Sequence, residues 1–271
     1  MRISSAIKSP ALYYYGGKWL LAPWIISHFP PHDNYLEPCM GACSVLLRKP
    51  RSRLETINDI NDDIVNFFRV LRERPKALLR YIQLTPWSRT EYERVKQPAD
   101  DPLESARRLY VRLAMGRASS VNTGWKFGYN YQGSPVFRLA RVRDLLLVAR
   151  RLQYVQIEHR DALEIIPDFD RPNTLIYFDP PYVQETRSST EQYAHEVSED
   201  FHIEAARLLR QCAGYVVVSG YNCPLYEELY EGWHREDTPL QTISHSVRME
   251  SLWLSPRTVQ ALGKPRQGRL I

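Results

Sequence analysis

The tetrapeptide Asp179-Pro180-Pro181-Tyr182 places a carboxylate, two rigid prolines and an aromatic ring directly after the apolar run 174–178. Each proline fixes its own backbone and pushes the preceding residue toward extended geometry, so the carbonyls of Asp179 and Pro180 point outward as acceptors. An exocyclic amine of adenine or cytosine offers its two hydrogens to the Asp179 carboxylate and the Pro180 carbonyl, while its ring lies flat against an exposed Tyr182. The residues predict a clamp for a planar amine, although a polar turn that closes a buried strand explains the tetrapeptide alone almost as well.

Two acidic strand ends are typical of a small-ligand site. One strand ends at Glu37 and turns at Gly41, where the backbone allows close approach of a ligand. The repeated glycines that cradle a pyrophosphate are missing, so we expect a nucleoside without phosphates. Asp59 ends the next strand and can accept hydrogen bonds from both ribose hydroxyls, or it can cap a helix together with Asn61 and Asp62.

Two weaker signals point to the same small-ligand site. Near the amino terminus, the paired glycines Gly16 and Gly17 precede Lys18, and such a segment can wrap the carboxylate end of a small zwitterion. Asp161 follows a later strand and can reach the amino group of an adenine, or it can lie in a solvent-facing turn.

Strand and helix patterns arrange these groups along one α/β sheet. Strands are predicted at 34–37, 54–57, 154–157, 174–178 and 215–219, with a closing antiparallel strand at 251–254 and helices at 201–212 and 225–230. Residues 62–153 are mostly helical, which indicates an insertion between the second and third strands.

The insertion carries the basic charge. Between residues 102 and 151 ten basic residues stand against two acidic ones, an excess of +8 (10 − 2) that exceeds the +5 of the whole chain. Basic residues interleaved with aromatic ones suit contacts with phosphates and bases, although any single arginine is as easily a solvated surface residue. We expect the side of helix 103–114 that bears Arg108 and Arg112 to be free for a partner. We also expect residues 116–135 to form a loop or hairpin that recognises this partner.

Composition excludes several other classes. No apolar stretch approaches the roughly 18 residues of a membrane span, and the amino terminus has no signal-peptide pattern. The four cysteines lack the spacing of a zinc site or a disulfide framework. We therefore expect a cytoplasmic protein with reduced thiols, no metal and no membrane association.

In their order, five motifs resemble those of the Dam-type, S-adenosylmethionine-dependent DNA adenine methyltransferases, and the resemblance spans nearly the whole chain. It departs from the family at Cys39, where an aromatic or aliphatic residue is usual, and at Cys43, where a second glycine is common. The motifs are Tyr-Gly-Gly-Lys at 15–18, Glu-Pro-Cys-Met-Gly-Ala at 37–42, Asp-Ile-Asn at 59–61, Asp-Pro-Pro-Tyr at 179–182 and Ser-Gly-Tyr-Asn at 219–222.

The resemblance implies a fold and its domains. We expect an α/β protein with a Rossmann-like methyltransferase mixed sheet and helices on both faces, built from residues 1–61 and 154–271. Residues 62–153 would form an inserted, mostly helical target recognition domain.

It also implies roles for three sets of residues. The set expected to hold a flipped adenine is Asp179, Pro180, Pro181 and Tyr182. The set expected on S-adenosylmethionine is Tyr14, Tyr15, Gly16, Gly17, Lys18, Glu37, Pro38, Cys39, Gly41, Ala42, Cys43, Ser44, Asp59, Ile60, Asp161, Ala162 and Asp179. The set expected on DNA is Arg108, Arg112, Arg117, Asn122, Trp125, Lys126, Tyr129, Tyr131, Arg138 and Tyr193.

The implied activity is site-specific transfer of a methyl group from S-adenosylmethionine to the 6-amino group of an adenine flipped out of double-stranded DNA, by a bacterial or phage protein that is a monomer or weak dimer. A cytosine 4-amino methyltransferase, which usually has Ser in place of Asp179, is the nearest alternative. A cytosine 5-methyltransferase with Cys39 as nucleophile is disfavoured because Cys39 lies in the cofactor loop. A catalytically silent DNA-binding relative also stays open, and the target sequence cannot be carried over because base readout depends on a few side chains.

Overall fold

The computed structural model describes residues 7–14, 16–117, 124–126, 139, 142, 144–182, 197–241 and 247–263. The strands in these ranges are β1 (Asn34–Glu37), β2 (Leu54–Asn58), β3 (Val155–Glu158), β4 (Thr174–Phe178), β5 (Tyr215–Gly220), β6 (His234–Gln241) and β7 (Val247–Leu254). The helices are α1 (Ala22–Ser27), α2 (Ser44–Arg48), α3 (Asp62–Glu73), α4 (Pro75–Gln83), α5 (Arg89–Arg94), α6 (Pro102–Met115), α7 (Asp144–Leu152), α8 (Ala162–Phe169), α9 (Glu199–Gln211), α10 (Pro224–Leu229) and α11 (Pro256–Ala261).

The described strands form one sheet in the order β3-β2-β1-β4-β5-β7-β6. Strands β1 to β5 pair in parallel, whereas β7 runs antiparallel to both β5 and β6. Parallel neighbours need crossover connections, and helices supply these on both faces. The predicted Rossmann-like methyltransferase mixed sheet is confirmed.

Two hydrophobic clusters cover the two faces of the sheet, because successive side chains of a strand point to opposite sides. In β4, Ile176 and Phe178 pack with helices α8 to α10, whereas Leu175 and Tyr177 pack on the opposite side. The full burial of these four side chains explains why this strand reads as an unbroken apolar run.

The helices of the predicted insertion contribute side chains to one of these two hydrophobic clusters. Buried side chains of α3, α6 and α7, among them Phe67, Leu109 and Val148, belong to the cluster that also contains Leu175 and Tyr177 of β4. Helix α3 also packs against β3. In the described part of the chain, the helical segment is thus anchored on the sheet.

The edge strand β6 was not predicted. Its sequence is dominated by polar and charged residues and contains Pro239, which cannot donate a ladder hydrogen bond and is therefore tolerated at a sheet edge. Pairing with β7 over eight residues, from His234↔Leu254 to Gln241↔Val247, forms this strand. Among the described helices, none is both long and apolar enough to cross a membrane.

Candidate active site

A cavity of about 280 Å³ opens where β1, β2 and β4 end. The chain leaves β1 toward β2 and β3 on one side and later returns to β4 on the other side, so this is the point where the strand order reverses. Open α/β sheets bind ligands in the crevice at such a point. The expected site residues on its wall are Tyr14, Gly16, Gly17, Lys18, Glu37, Pro38, Cys39, Gly41, Ala42, Ser44, Asp59, Ile60, Asp161, Ala162, Asp179, Pro180 and Pro181.

Asp59 fixes the turn after β1. Its Oδ2 accepts a hydrogen bond from the Gly41 backbone nitrogen at 2.9 Å, and its Oδ1 accepts one from the Asn61 nitrogen at 3.0 Å. Gly41 has φ +45°, and a Cβ built on it would lie 3.5 Å from the ring of Tyr14. Asp59 does not cap α3 itself, because Asn61 accepts from the first-turn nitrogen of Asp63 at 2.9 Å.

Asn58 is buried and holds the ends of three strands together. No role was predicted for it from the sequence. Its amide nitrogen donates to the Pro38 carbonyl at 2.8 Å and to the Arg160 carbonyl at 2.9 Å. Its amide oxygen accepts from the Arg160 nitrogen at 2.9 Å. Asp161 then caps α8 by accepting from the Leu163 nitrogen at 2.7 Å and also lines the cavity, and its contact with an adenine amino group stays a prediction.

Lys18 does not lie alone on the cavity wall but joins two acidic groups. Its Nζ lies 2.9 Å from Asp179 Oδ1 and 3.5 Å from Glu250 Oε1. It also donates to the Tyr182 hydroxyl at 2.6 Å and to the Gly16 carbonyl at 3.1 Å. With 4% of its surface exposed, Lys18 is a desolvated cation held among four oxygens.

Asp179 follows β4 and keeps 18% of its side chain exposed. Its Oδ1 also accepts from Ser219 Oγ at 2.8 Å, and Ser219 in turn lies 2.9 Å from the Tyr177 hydroxyl. Both of these contacts of Asp179 use Oδ1. Asp179 also lines the cavity, so within the described residues Oδ2, which takes part in neither contact, is left as an acceptor.

Tyr182 is not the exposed aromatic that we expected. It is 5% exposed, its ring stacks on Tyr221 at 4.3 Å between centroids, and its hydroxyl lies 3.1 Å and 3.2 Å from the two Glu250 oxygens. Phe201 in α9 lines the cavity, whereas Tyr182 does not. Tyr182 is drawn inward because the hydroxyl satisfies Lys18 and Glu250.

Glu37 is buried beneath the cavity. Its Oε2 accepts from the Tyr35 hydroxyl at 2.8 Å and from the Leu46 nitrogen at 3.3 Å. Burial, followed by the repulsion of Asp179, raises the pKa of Glu37 to about 8, against the opposing effect of the Tyr35 hydrogen bond.

The two unusual cysteines differ in position. Cys39 lines the cavity, whereas Cys43, expected on the cofactor, is fully buried in the core and does not line it. Cys43 has φ +56°, a left-handed conformation that costs little for glycine, which explains why glycine suits this position. Burial first, and then the carboxylates around it, raise the pKa of the Cys39 thiol well above its usual range. A protonated thiol is a poor nucleophile, which argues against the cytosine 5-methyltransferase reading.

The expectation that the basic side of α6 is free for a partner is wrong. Arg108 is paired with Glu104 at 2.7 Å and donates to the Gln97 and Pro98 carbonyls, and Arg112 pairs with Asp63 at 3.1 Å. Glu104 lies within segment 102–151, whereas Asp63 lies outside it and neutralises part of its charge.

The end of α6 continues into the predicted loop or hairpin. Gly116 forms an isolated antiparallel bridge with Trp125, the Arg117 nitrogen donates to Gly124, and the Lys126 nitrogen donates to Met115. Arg117 is exposed and the Arg89 guanidinium lies over the Trp125 ring at 4.9 Å. The remaining predicted site residues, Tyr15, Asn122, Tyr129, Tyr131, Arg138 and Tyr193, lie outside the described residues.

Several site residues escaped sequence reasoning. Met40, Val45 and Val197 line the cavity, but apolar residues of this kind carry no chemical signal. Glu250 had one weak signal, a carboxylate just before the apolar strand pattern 251–254. Within the described ranges, no group of three or more His, Cys, Asp or Glu residues is placed to hold a metal ion.

The chain is similar in sequence to known DNA methyltransferases. The chain is 23% identical over 257 residues to the type II methyltransferase M.MjaIII of Methanocaldococcus jannaschii, which covers 83% of this chain and 89% of that protein. It is 23% identical over 242 residues to the DNA adenine methylase of Vibrio cholerae, with 82% of this chain and 84% of that protein covered. Among solved structures, the rRNA methyltransferase aviRa of Streptomyces viridochromogenes aligns with a TM-score of 0.43 at 15% identity over 96% of each chain.

A family model described as D12 class N6 adenine-specific DNA methyltransferase matches residues 14–242. The match runs from the segment before Lys18, through both acidic strand ends and Asp179, to the edge strand β6. The chain therefore belongs to the D12 class of N6 adenine-specific DNA methyltransferases.

Proposed function

We propose that this protein transfers a methyl group from S-adenosylmethionine to the 6-amino group of an adenine that has been flipped out of double-stranded DNA at a specific sequence. The observation that carries the proposal is the orientation of Asp179. Ser219 and Lys18 hold its Oδ1, and Oδ2 remains an acceptor beside the cavity. Membership in the adenine-specific family supports adenine as the base.

The residues on the wall of the cavity fit the proposed methyl donor. Asp59, held by two backbone nitrogens, offers carboxylate lone pairs to ribose hydroxyls, and Asp161 offers an acceptor to an adenine amino group. Gly16, Gly17 and Gly41 allow close backbone approach. When bound, the donor supplies an electrophilic methyl group on a sulfonium.

The chain's own task is to make a poor nucleophile reactive. The lone pair of the adenine amine is delocalised into the ring, so the nitrogen must be turned and held in line with the methyl group. An acceptor at Asp179 Oδ2 and a second at the Pro180 carbonyl take the two amine hydrogens and draw the lone pair out of conjugation. The carboxylate also stabilises the positive charge that develops on the nitrogen.

DNA recognition is assigned in this proposal to residues 62–153. Support comes from the exposed Arg117 and from the isolated bridge between Gly116 and Trp125 at the end of α6. Extrusion of the base costs a few kcal/mol, which contacts between the protein and the DNA backbone offset. Since Tyr182 is stacked on Tyr221, we assign it to support the Asp179 end of the site rather than to cover the base.

The first test identifies the product. Unmethylated genomic DNA is incubated with the purified protein and S-adenosylmethionine carrying a labelled methyl group, and is then digested to nucleosides. We expect the label in the deoxynucleoside of 6-methyladenine. Label in 4-methylcytosine would replace the proposal by its nearest alternative, and the absence of label from DNA would favour a catalytically silent relative.

The second test addresses the mechanism. Asp179→Asn keeps the shape of the side chain but removes its charge, and we expect kcat to fall about 100-fold or more, the usual effect of removing one electrostatic stabiliser of a transition state. The matched control is Asp168→Asn, an exposed aspartate that pairs with Arg160 outside the cavity. An Asp179→Asn variant as active as this control contradicts the assigned role.

A further inference from the structure

Glu250 is a buried carboxylate that points from β7 toward the site. Its side chain has no exposed surface, and in the sheet it stands opposite Thr238 of β6. Its two oxygens lie 3.2 Å and 3.1 Å from the Tyr182 hydroxyl, and Oε1 lies 3.5 Å from Lys18 Nζ. Further along β7, Leu252 and Leu254 are part of the hydrophobic core, so Glu250 is a charged group beside apolar packing.

A buried acid of this kind is costly for stability. Ionised carboxylates lose their hydration on burial, and replacement of buried ion pairs by apolar residues is often neutral or stabilising. Burial indeed raises the pKa of Glu250 to about 7, with a further rise from Asp179, although Lys18 and Tyr182 act against it. A group that weakens the fold in this way calls for a role in the site.

The net charge of the group formed by Lys18, Asp179 and Glu250 indicates that role. Lys18 is one cation between two carboxylates, those of Asp179 and Glu250. With all three groups ionised, the cluster carries a net charge of −1 (+1 − 2). Without the charge of Glu250, Lys18 neutralises Asp179 alone and the cluster is neutral. A neutral cluster stabilises a positive charge on a nearby amine far less than a negative one does.

We propose that Glu250 is a positioning residue for methyl transfer: it shares the charge of Lys18 and anchors the Tyr182 hydroxyl, so that the carboxylate of Asp179 stays net negative where the amine of the target base binds. The inference rests on the proposed function. It extends the site beyond Asp179 to a strand 71 positions later in the chain (250 − 179).

The groups that face Glu250 come from two directions. Lys18 approaches from the segment before α1, and Asp179 and Tyr182 approach from the segment after β4. On the neighbouring strand β6, Asp237 accepts a hydrogen bond from Ser251 Oγ at 2.6 Å. Because Lys18 is the cation between Asp179 and Glu250, ionisation of Glu250 changes the field at Asp179 through Lys18.

The central variant is Glu250→Gln, which keeps the size and hydrogen-bonding capacity of the side chain but removes its charge. We expect kcat to fall about tenfold or more, whereas the affinities for S-adenosylmethionine and DNA change by less than about threefold. In the wild type kcat should rise with pH as Glu250 ionises near neutral pH, and the variant should lack this rise. Glu250→Asp keeps the charge and should retain most of the activity and the pH dependence.

The matched control is Asp237→Asn, which removes a carboxylate from the same β6–β7 hairpin but outside the cavity. We expect it to keep kcat within about twofold of the wild type. A purely structural role of Glu250 would lower the melting temperature of Glu250→Gln while kcat per folded molecule and the pH profile stayed as in the wild type. That result overturns the inference.

A double-mutant cycle with Lys18→Met tests whether Glu250 acts through the lysine. In the absence of Lys18, the amide at position 250 leaves Asp179 as the single charge of the cluster, so Glu250→Gln should then change kcat by less than about twofold. If Glu250→Gln lowers kcat in the Lys18→Met background by the same factor as in the wild-type background, the mechanism is contradicted.

A failure of the role proposed for Glu250 can be distinguished from a failure of the proposed function. The proposed function is judged by which base carries the label in the wild type. The role of Glu250 is judged by the ratio of variant to wild-type rates, which has the same meaning whether the accepting amine belongs to adenine or to cytosine.

Discussion

At the scale of single residues, the site is built from carboxylates in unlike surroundings. Asp179 keeps part of its side chain exposed and is held at one oxygen, whereas Glu37 and Glu250 are buried and have raised pKa values, about 8 and about 7. The difference follows from position: Asp179 lies at the rim of the crevice, and the two glutamates lie on strands beneath it. Carboxylates with strongly shifted pKa values are common at sites that perform chemistry.

The raised pKa of Glu37 makes stability depend on pH. Because its pKa is about 8 in the folded protein and near 4.5 in the unfolded chain, the folded state binds the proton more tightly between these values. The stabilising contribution is complete below about pH 4.5 and is lost as the pH rises toward about 8. We expect the free energy of unfolding to fall by a few kcal/mol over this range, and Glu250 adds to the fall up to about pH 7.

Urea denaturation at a series of pH values measures this dependence. Glu37→Gln cannot titrate and should show a clearly shallower fall than the wild type. Glu204→Gln, which removes an exposed carboxylate whose pKa is lowered rather than raised, should fall as steeply as the wild type. Equal slopes for all three proteins contradict the assignment of the raised pKa to Glu37.

At the scale of elements, the ends of the strands decide which residues meet. The site residues come after β1, β2 and β4, and these strands are held in register by loops at their other ends. At that opposite edge, Asp170 accepts hydrogen bonds from the nitrogens of Ala213 at 2.7 Å and Gly214 at 2.8 Å, which fixes the entry into β5 beside β4. A Cβ built on Gly214 would lie 2.5 Å from the Thr174 carbonyl oxygen.

We therefore expect Gly214→Ala to destabilise the protein by about 1–3 kcal/mol, because the methyl group meets backbone oxygens that cannot move without disturbing the β4–β5 pairing. Thermal and urea unfolding measure the change. Gly124→Ala is the control, since a Cβ there has no atom within 4 Å among the described residues. A Gly214→Ala protein as stable as this control refutes the crowding at the entry to β5.

At the scale of the whole molecule, a buried ion cluster fastens the helical segment to the sheet. Arg151 at the end of α7 is fully buried, pairs with Glu55 of β2 and donates to the Leu46 carbonyl at 3.1 Å. Lys49 completes the cluster with a contact to Glu55 at 2.8 Å. The cluster lies outside the cavity, so its role is to join parts of the fold.

Removal of this arginine should loosen the whole structure. We expect Arg151→Met to lower the free energy of unfolding by about 3–5 kcal/mol, because Glu55 and the Leu46 carbonyl lose a buried partner. Arg150→Met, at the exposed neighbouring position, should change it by less than about 0.5 kcal/mol. Urea denaturation compares the two, and a similar small effect for both contradicts the anchoring role. Below its melting temperature, Arg151→Met should keep its activity.

Local patterns in the chain were sufficient for much of the fold. The strands at 34–37 and 174–178 were predicted at their observed bounds. For 174–178 the signal was an apolar run, because every residue of that strand is buried. The missed strand β6 has no such run, since an edge strand with one exposed side is stabilised by pairing with β7 rather than by its own composition. The expectation for Arg112 was wrong because its partner Asp63 lies on another helix, and the expectation for Arg108 was wrong because Glu104 pairs with it one turn earlier on α6.

Local strand and helix patterns were enough to predict an α/β sheet, and the order of the motifs was enough to predict the family, because each pattern or motif spans only a few neighbouring residues. Only the folded chain showed that Lys18 lies on Asp179, that Tyr182 turns inward onto Tyr221 and that Glu250 completes the cluster. Lys18 and Tyr182 are separated by 164 positions, and Tyr182 and Glu250 by 68. Contacts over such separations depend on how strands are ordered in the sheet, and no local pattern of residues encodes that order.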